Sequence, residues 1–596
     1  MRLNTPQYPK LLLGCVIVLL CGFTNTCGTV AHAQEAGPAY ADLSVVRPVM
    51  DCADLASMGL KLSVMAGVSM QVQSAVVVQE APAPYCDVKG YVSPMVDYEV
   101  RLPTTKWTQR FLQIGCGAFC GTLAVQVPTT AMVGNVQIQR GEMVLASTDD
   151  GHPTGVGTDG AWAANDPQLR VDFAYRGVHV TAIAAKALMR AYYGQGPKYS
   201  YFVGISEGGR EAAVESQRFP EDFNGISAGS PAVNMLTQIT FYHSWNVRSN
   251  SDENGQLILT PDKLPILHAA ALAACDAQDG LKDDLISEPW SCHFDPAVTQ
   301  CKAGDDPSKC LTPAQVRAAQ LIYQGARDTS GNPLVISGPL PGSELQWVGG
   351  GWVSSNPDSS RTISAQLSTY ADKFLAFPQN RPLTYTVADA HYDEATFKEL
   401  APMHALYDAL DPDLSKFDGA GDKIIFWTGL ADSSIPPPNL IAYYNALQNY
   451  MGKDRVLKFA RLYLFPGGYH GNGNPGPVVC DVLTALIGWV EKDVPPNRLI
   501  SYYLPFVSQK GGKYGPYGDA LDISKAVRSR PVYPYPQVAH YKGSGSIDDA
   551  ANFDAGMPLL KQPEVKWIGL PTLFAPPHEL WCDWVGMTFQ CGAHEK

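Results

Sequence analysis

Gly204-Ile205-Ser206-Glu207-Gly208 interrupts a strand-like run, Tyr199 to Val203, and leads into helix formers from Glu207 to Phe219 with apolar residues at helical spacing. A serine on a tight strand-to-helix turn is the setting of a nucleophile elbow. The glycines let the turn close, and the helix aims its first amides and positive dipole end at an oxygen that gains charge during acyl transfer. Gly225-Ile226-Ser227-Ala228-Gly229 matches the same pattern, but Gly229-Ser230-Pro231 follows it as a loop. Ser227 therefore reads as part of the next parallel strand, and Ser206 as the nucleophile.

An acyl-transfer serine needs a base and a group that orients it. Lys423 to Trp427 reads as a strand that ends in Thr428-Gly-Leu-Ala-Asp432. Ala460 to Phe465 reads as another, running into Pro466-Gly-Gly-Tyr-His470-Gly. The chain order Ser206, Asp432, His470 is the order of α/β-hydrolases. Arg110 to Ile114 is a strand before Gly115-Cys-Gly-Ala-Phe-Cys-Gly121. In such folds this loop supplies the second oxyanion amide, although an ordinary tight turn tied by its cysteines reads equally well. Asp149, Asp150 and His152, at the end of strand Glu142 to Ser147, offer further side chains for chemistry, but bracing of their loop is the favoured role. From Cys275 to Cys292, Asp276, Asp279 and Asp283, with Asp284 and Glu288, crowd like charges at spacings that suit a Ca²⁺ loop or else a solvated acidic turn.

These residues must be carried by alternating strands and helices. The pattern runs from Tyr98 through helix 178–194 and the elbow. It lapses from about 232 to 415 into helical pieces and Pro/Gly-rich connections, then resumes at Lys423. The expected fold is an α/β-hydrolase core, residues 34–231 and 416–596, with a large inserted lid domain at 232–415. Residues 34–95 read as an extended lead-in. Ahead of them, Arg2 and Lys10 precede an apolar run from Leu11 to Phe23 and an Ala31-His32-Ala33 cleavage site, so residues 1–33 read as a signal peptide. Fourteen cysteines, less Cys15, Cys21 and Cys27 in that leader, leave eleven for an oxidising compartment. Short spacings suggest Cys52/Cys86, Cys116/Cys120, Cys275/Cys292, Cys301/Cys310 and Cys582/Cys591, which leaves Cys480 free. No Cys-x-x-Cys occurs, which argues against structural zinc. A net charge of −13 with no basic cluster argues against nucleic acid. No stretch after the leader is apolar enough to anchor in a membrane, so the destination is secreted or periplasmic.

The motifs together resemble the tannase/feruloyl esterase family of secreted α/β-hydrolases, which includes hydrolases of terephthalate monoesters. The resemblance rests on Arg110-Phe-Leu-Gln-Ile-Gly, Ser147-Thr-Asp-Asp-Gly-His, Tyr201-Phe-Val-Gly-Ile-Ser-Glu-Gly-Gly-Arg-Glu, Ala274-Cys-Asp-Ala-Gln-Asp-Gly-Leu, Tyr463-Leu-Phe-Pro-Gly-Gly-Tyr-His and the tail Arg530-Pro-Val-Tyr-Pro-Tyr-Pro. It implies Ser206, Asp432 and His470 as nucleophile, orienting acid and base, and the Glu207 and Ala118 amides as oxyanion hole. It implies a structural Ca²⁺ in the lid on Asp276, Asp279, Asp283 and the Leu281 and Leu285 carbonyls, no organic cofactor, and a small aromatic ester as substrate. Arg361 and Ile435 would touch that substrate, Arg361 against a free carboxylate; a plain surface arginine is the competing reading. The family's cysteine pair beside the serine and histidine is replaced by Ile205 and Gly471, which implies a histidine loop held by packing alone. The rival readings are a binding protein on the same scaffold and a serine peptidase.

Overall fold

The computed structural model describes residues 40–58, 63–65, 68–80, 82–123, 125, 135–153, 157–471, 476–504, 523–564, 566–574, 579–585 and 588–593. The expected signal peptide, 1–33, lies outside them. A single ten-stranded sheet organises the chain. Its strands are β1 Ser63–Met65, β2 Val68–Val78, β3 Tyr85–Val92, β4 Val96–Pro103, β5 Arg110–Ile114, β6 Met143–Thr148, β7 Tyr199–Ile205, β8 Gly225–Gly229, β9 Lys423–Gly429 and β10 Ala460–Phe465. They lie in the order β1-β2-β3-β4-β6-β5-β7-β8-β9-β10. From β6 to β10 the neighbours are parallel. From β1 to β4, and between β4 and β6, they are antiparallel.

The central strands are buried along their whole length, with every residue of β5, β6 and β8 inside. That is the pattern of parallel strands covered by helices on both faces. Helices Gly177–Tyr193, Glu207–Arg218, Pro437–Met451 and Val482–Lys492 provide the cover. A bidentate ion pair buried at one end of β5 fixes the last of these against the sheet. Arg110 Nε and Nη2 each lie 2.7 Å from a Glu491 oxygen, and Tyr201 of β7 donates to the same carboxylate at 2.8 Å.

The segment expected to be an extended lead-in forms part of the sheet instead. β2 and β3 pair antiparallel from Met70–Val92 to Val78–Tyr85, with a register shift between Val72 and Ser74, and widen the sheet on its antiparallel side. Alternating burial in β3, with Tyr85, Cys86, Val88 and Val92 inside, explains why these residues form a half-buried strand. Cys52 and Cys86 form a disulfide at its start. The other four expected pairs are joined as well, and Cys480 is free and buried.

Between β8 and β9 the sheet receives no strand. The insertion opens with a helical run from Met235 to Ser249, and its longer helices are Leu264–Cys275, Pro313–Gln324, Ile363–Phe374 and Glu394–Tyr407, joined by loops and short 3-10 turns. It packs onto the loops that leave the carboxyl ends of β9 and β10. A Cβ on Gly350 would come 2.6 Å from Ser433 Oγ, and one on Gly467 would come 2.6 Å from Leu285 Cδ2.

Candidate active site

Ser206 links β7 to helix Glu207–Arg218 with φ 67° and ψ −117°, a conformation ordinary residues avoid. The surrounding glycines make this turn possible. A Cβ on Gly204 would lie 2.0 Å from the Gly208 carbonyl oxygen, and one on Gly209 would lie 2.4 Å from that of Gly229. The Ser206 N–H donates to Gly229 O at 2.9 Å and its carbonyl accepts from Arg210 and Ala232, so the elbow is pinned on three sides. Its hydroxyl caps no helix amide. Ser227, by contrast, is a buried β8 residue whose Oγ accepts from Trp427 Nε1 at 3.1 Å, a structural role.

Asp432 is fully buried in the loop after β9, and His470 is 22 % exposed in the loop after β10. His470 Nδ1 and Asp432 Oδ2 are 2.8 Å apart, while Asp432 Oδ1 accepts the Ile435 N–H at 2.8 Å. Both carboxylate oxygens are thus engaged. Burial pushes the His470 imidazole down, but the Asp432 charge and hydrogen bond outweigh it and the net shift is upward. The second histidine facing this region, His243, is pushed down to about 4, by burial first and by His470 second. His470 Nε2 and Ser206 Oγ are not joined by a hydrogen bond among the described residues, a contact that substrate-free hydrolases often leave open. Their neighbours do meet: a Cβ on Gly471 would lie 3.3 Å from Ile205 Cγ2. These are the two positions at which the family resemblance implies a cysteine pair.

The glycine-rich loop after β5 lies directly against the elbow helix. Gly208 N–H donates to Cys116 O at 2.9 Å, and Cys116 N–H donates to Glu211 Oε2 at 3.2 Å. A Cβ on Gly115 would sit 2.4 Å from that same Glu211 oxygen, so only glycine allows this approach. Ala118 is exposed at the loop tip with φ 53°. The amide of Glu207 is the first of its helix, with no carbonyl a turn earlier to receive it. His152, one of the residues offered for chemistry, supports the loop. Its Nε2 lies 2.6 Å from Phe119 O, and its ring stacks on Trp162 at 3.6 Å. Asp149 accepts the Asp97 and Gly151 amides, which is again a bracing role.

Below this loop, Cys116, Cys120, Asp150 and Glu211 form the one set of three or more such ligand atoms within 4.8 Å of each other among the described residues. The two cysteines are joined to each other. Burial, then Glu207, pushes Glu211 up to about 7, and burial, then Glu211, pushes Asp150 well up. Glu207 is itself raised by burial, against which the Arg210 guanidinium pulls it down.

The acidic loop of the insertion has hard oxygen donors in quantity. Asp276 accepts the Asp283 and Asp284 amides, and Asp279 accepts the Leu281 amide. Asp283 Oδ2 is engaged by Arg530, while its Oδ1 is buried without a partner. Burial raises both Asp279 and Asp283. An orphaned carboxylate oxygen in a desolvated aspartate loop fits a hard cation. Arg361 is solvent-facing, with a side chain 70 % exposed, and pairs with Asp358 at 3.3 Å. Ile435 is buried beside the acid loop.

A parallel sheet carrying a serine on this elbow, with a His–Asp pair on the loops after two later strands, defines an α/β-hydrolase. The chain belongs to the tannase and feruloyl esterase family, whose model matches residues 75–555. It is 30% identical over 535 residues to the mono(2-hydroxyethyl) terephthalate hydrolase of Piscinibacter sakaiensis, covering 80% of this chain and 85% of that one. It is also 30% identical over 501 residues to a probable feruloyl esterase of Arthroderma benhamiae, covering 78% and 83%. The crystal structure of feruloyl esterase B from Aspergillus oryzae superposes with a TM-score of 0.68 at 24% identity, over 85% of this chain and all of that one, and shares the fold. The chain is a carboxylic ester hydrolase.

Among the described residues no helix is long and apolar enough to cross a membrane. Sequence reasoning missed the insertion side chains that hold the Asp432 loop, Gln238, Tyr242 and Gln346, and no motif marks them.

Proposed function

We propose that this protein is an exported esterase that cleaves small esters of aromatic carboxylic acids through an acyl-enzyme on Ser206. The observation that carries the reading is the His470–Asp432 pair at 2.8 Å, on a loop whose next residue abuts the residue before an elbow serine. His470, its imidazole oriented through Nδ1, takes the Ser206 proton as Oγ attacks the ester carbonyl. The Glu207 and Ala118 amides receive the negative oxygen, each such donor contributing about 3 kcal/mol. His470 then passes the proton to the departing alcohol, and water releases the acid by the same steps in reverse. The raised basicity of His470 suits a group that must hold a proton between the two halves. The aromatic acid is supported by the names of the relatives, a terephthalate monoester hydrolase and a feruloyl esterase. Ile435 offers an apolar wall beside the acid loop, and Arg361 offers a cation once it releases Asp358.

Asp276, Asp279 and Asp283, with the Leu281 and Leu285 carbonyls, would hold a calcium ion. It would supply charge balance that braces the insertion and take no part in proton transfer. Removing calcium from the purified protein with EGTA is expected to lower the melting temperature by several degrees, with recovery on Ca²⁺ but not Mg²⁺; an unchanged melting curve would count against the ion.

The test of the reaction is product release from methyl ferulate, methyl gallate and mono(2-hydroxyethyl) terephthalate by wild type and Ser206→Ala. Turnover of one ester that disappears in the variant supports the reading. Turnover that survives in the variant refutes Ser206 as nucleophile.

A further inference from the structure

Within its own loop Asp432 donates its N–H to Gly429 O at 3.2 Å, and its Oδ1 accepts the Ile435 N–H at 2.8 Å. Toward the core, Leu430 and Ala431 donate to Phe465 O and Gly468 O, at 2.9 and 2.8 Å. The next two residues, Ser433 and Ser434, find partners in the insertion. Ser433 N–H donates to Gln346 Oε1 at 2.8 Å, and Ser433 Oγ donates to the Gln346 carbonyl and Oε1 at 3.3 and 3.2 Å. Tyr242 OH donates to Ser433 O at 2.5 Å, and Gln238 Nε2 donates to Ser434 O at 3.0 Å. Ser433 is fully buried, and Gln238, Tyr242 and Gln346 are buried too. Ser433 is sealed from water that could replace a lost partner, and an unpaired buried amide or carbonyl forces the backbone to move. Gly350 lets the Gln346 turn approach this closely, since a Cβ there would collide with Ser433 Oγ.

Resting on the Ser206–His470–Asp432 reading above, we infer that Gln346 is a positioning residue for the reaction: through Ser433, and together with Tyr242 and Gln238, it fixes the loop that presents Asp432 to His470. The insertion then completes the triad as well as covering the substrate. Gln346 acts here through its accepting oxygen, which separates this role from packing. A misplacement of about 1 Å in a catalytic group lowers rate by about a hundredfold.

The experiment measures kcat, KM and the pH dependence of kcat/KM on the best ester for wild type, Gln346→Leu, Gln346→Glu, Tyr242→Phe and Asp432→Asn. Gln346→Leu keeps the volume and loses the acceptor. Its kcat should fall about 10- to 100-fold with KM within about threefold of wild type. Its acid limb should move to lower pH, because an imidazolium without a fixed carboxylate gives up its proton sooner. His243, the other imidazole facing His470, is neutral across this limb. Gln346→Glu keeps the accepting oxygen and should recover most of kcat without lowering the limb. Tyr242→Phe should lower kcat in the same manner, and it carries the test if Gln346→Leu does not fold. A fall in melting temperature with unchanged kcat and acid limb overturns the inference, as does a rise in KM alone. Asp432→Asn should cost about 10⁴-fold in kcat. If it costs nothing, the triad reading itself falls; if it costs this much while the Gln346 and Tyr242 variants keep wild-type kcat, only the positioning role falls.

Discussion

Ile205 and Gly471 stand where the family resemblance implies a disulfide between the nucleophile and histidine loops, and this chain should accept a disulfide there. In Ile205→Cys/Gly471→Cys the new sulfur on residue 205 would take roughly the place of Ile205 Cγ2, which lies 3.3 Å from an ideal Cβ on residue 471. A relaxed disulfide sets each sulfur about 3 Å from the opposite Cβ, so the bridge needs only a small shift. The ring it closes, from residue 205 to residue 471, spans 266 positions. The loss of unfolded-chain entropy for a ring that long is about 5–6 kcal/mol. Against this, residue 471 has φ 65°, where a side chain costs about 1–2 kcal/mol. Losing the Ile205 methyls costs about 1 kcal/mol more. The net gain is about 2–4 kcal/mol. With an unfolding entropy near 2.1 cal/mol/K per residue, that raises Tm by about 2–3 °C. Differential scanning calorimetry under oxidising and reducing conditions reads the gain, and thiol titration of the denatured protein shows whether the bridge has formed. Gly471→Cys alone should be less stable than wild type, by the backbone cost. A fully formed bridge that leaves Tm unchanged or lowers it would refute the reasoning, because it would mean that the two loops are not apposed as described.

Two further outcomes follow from the charge pairs. The acid limb of kcat/KM should have its midpoint above the ordinary imidazole value of about 6.5, since Asp432 raises His470 and the base works only when neutral; a pH–rate profile with its limb below that value would refute this. Glu491→Gln should destabilise the protein by about 3–5 kcal/mol in urea unfolding while leaving KM unchanged, because it strands the buried Arg110 charge at the start of the central strand β5.

The parallel half of the sheet and the candidate catalytic positions were readable in the sequence for one physical reason. A strand buried on both faces is written as a continuous apolar run, and α/β-hydrolase chemistry sits at the ends of such runs. Arg110 to Ile114 and Ala460 to Phe465 are strands with the bounds their residues suggest. Ser206, Asp432 and His470 each follow a run of this kind. The antiparallel side was not readable in the same way. β2, Val68–Val78, carries Ser69, Gln71, Gln73 and Ser74 among its valines and leaves Val76 and Val77 exposed, so its run signals no covered strand. Its register comes from pairing with β3, which is a tertiary property. Arg361, which the family resemblance places against the substrate's free carboxylate, lies at the surface and pairs with Asp358, three residues back, a local partner that the resemblance does not mark.

The grip on the Asp432 loop lies beyond any local signal. Gln238, Tyr242 and Gln346 come from two turns of the insertion about a hundred residues apart, and what joins them is the hydrogen-bonding need of Ser433 and Ser434. That need arises only once the insertion seals the loop from water. A polar side chain in a helical segment is ordinarily read as surface; here burial converts it into the partner on which a catalytic carboxylate depends. The strand ends fix where the triad residues leave the core, and the insertion supplies the remaining constraint on the acid. An insertion swapped from a relative should therefore carry its own residues at 238, 242 and 346 to retain kcat. A chimera that lacks them should bind ester and turn it over slowly.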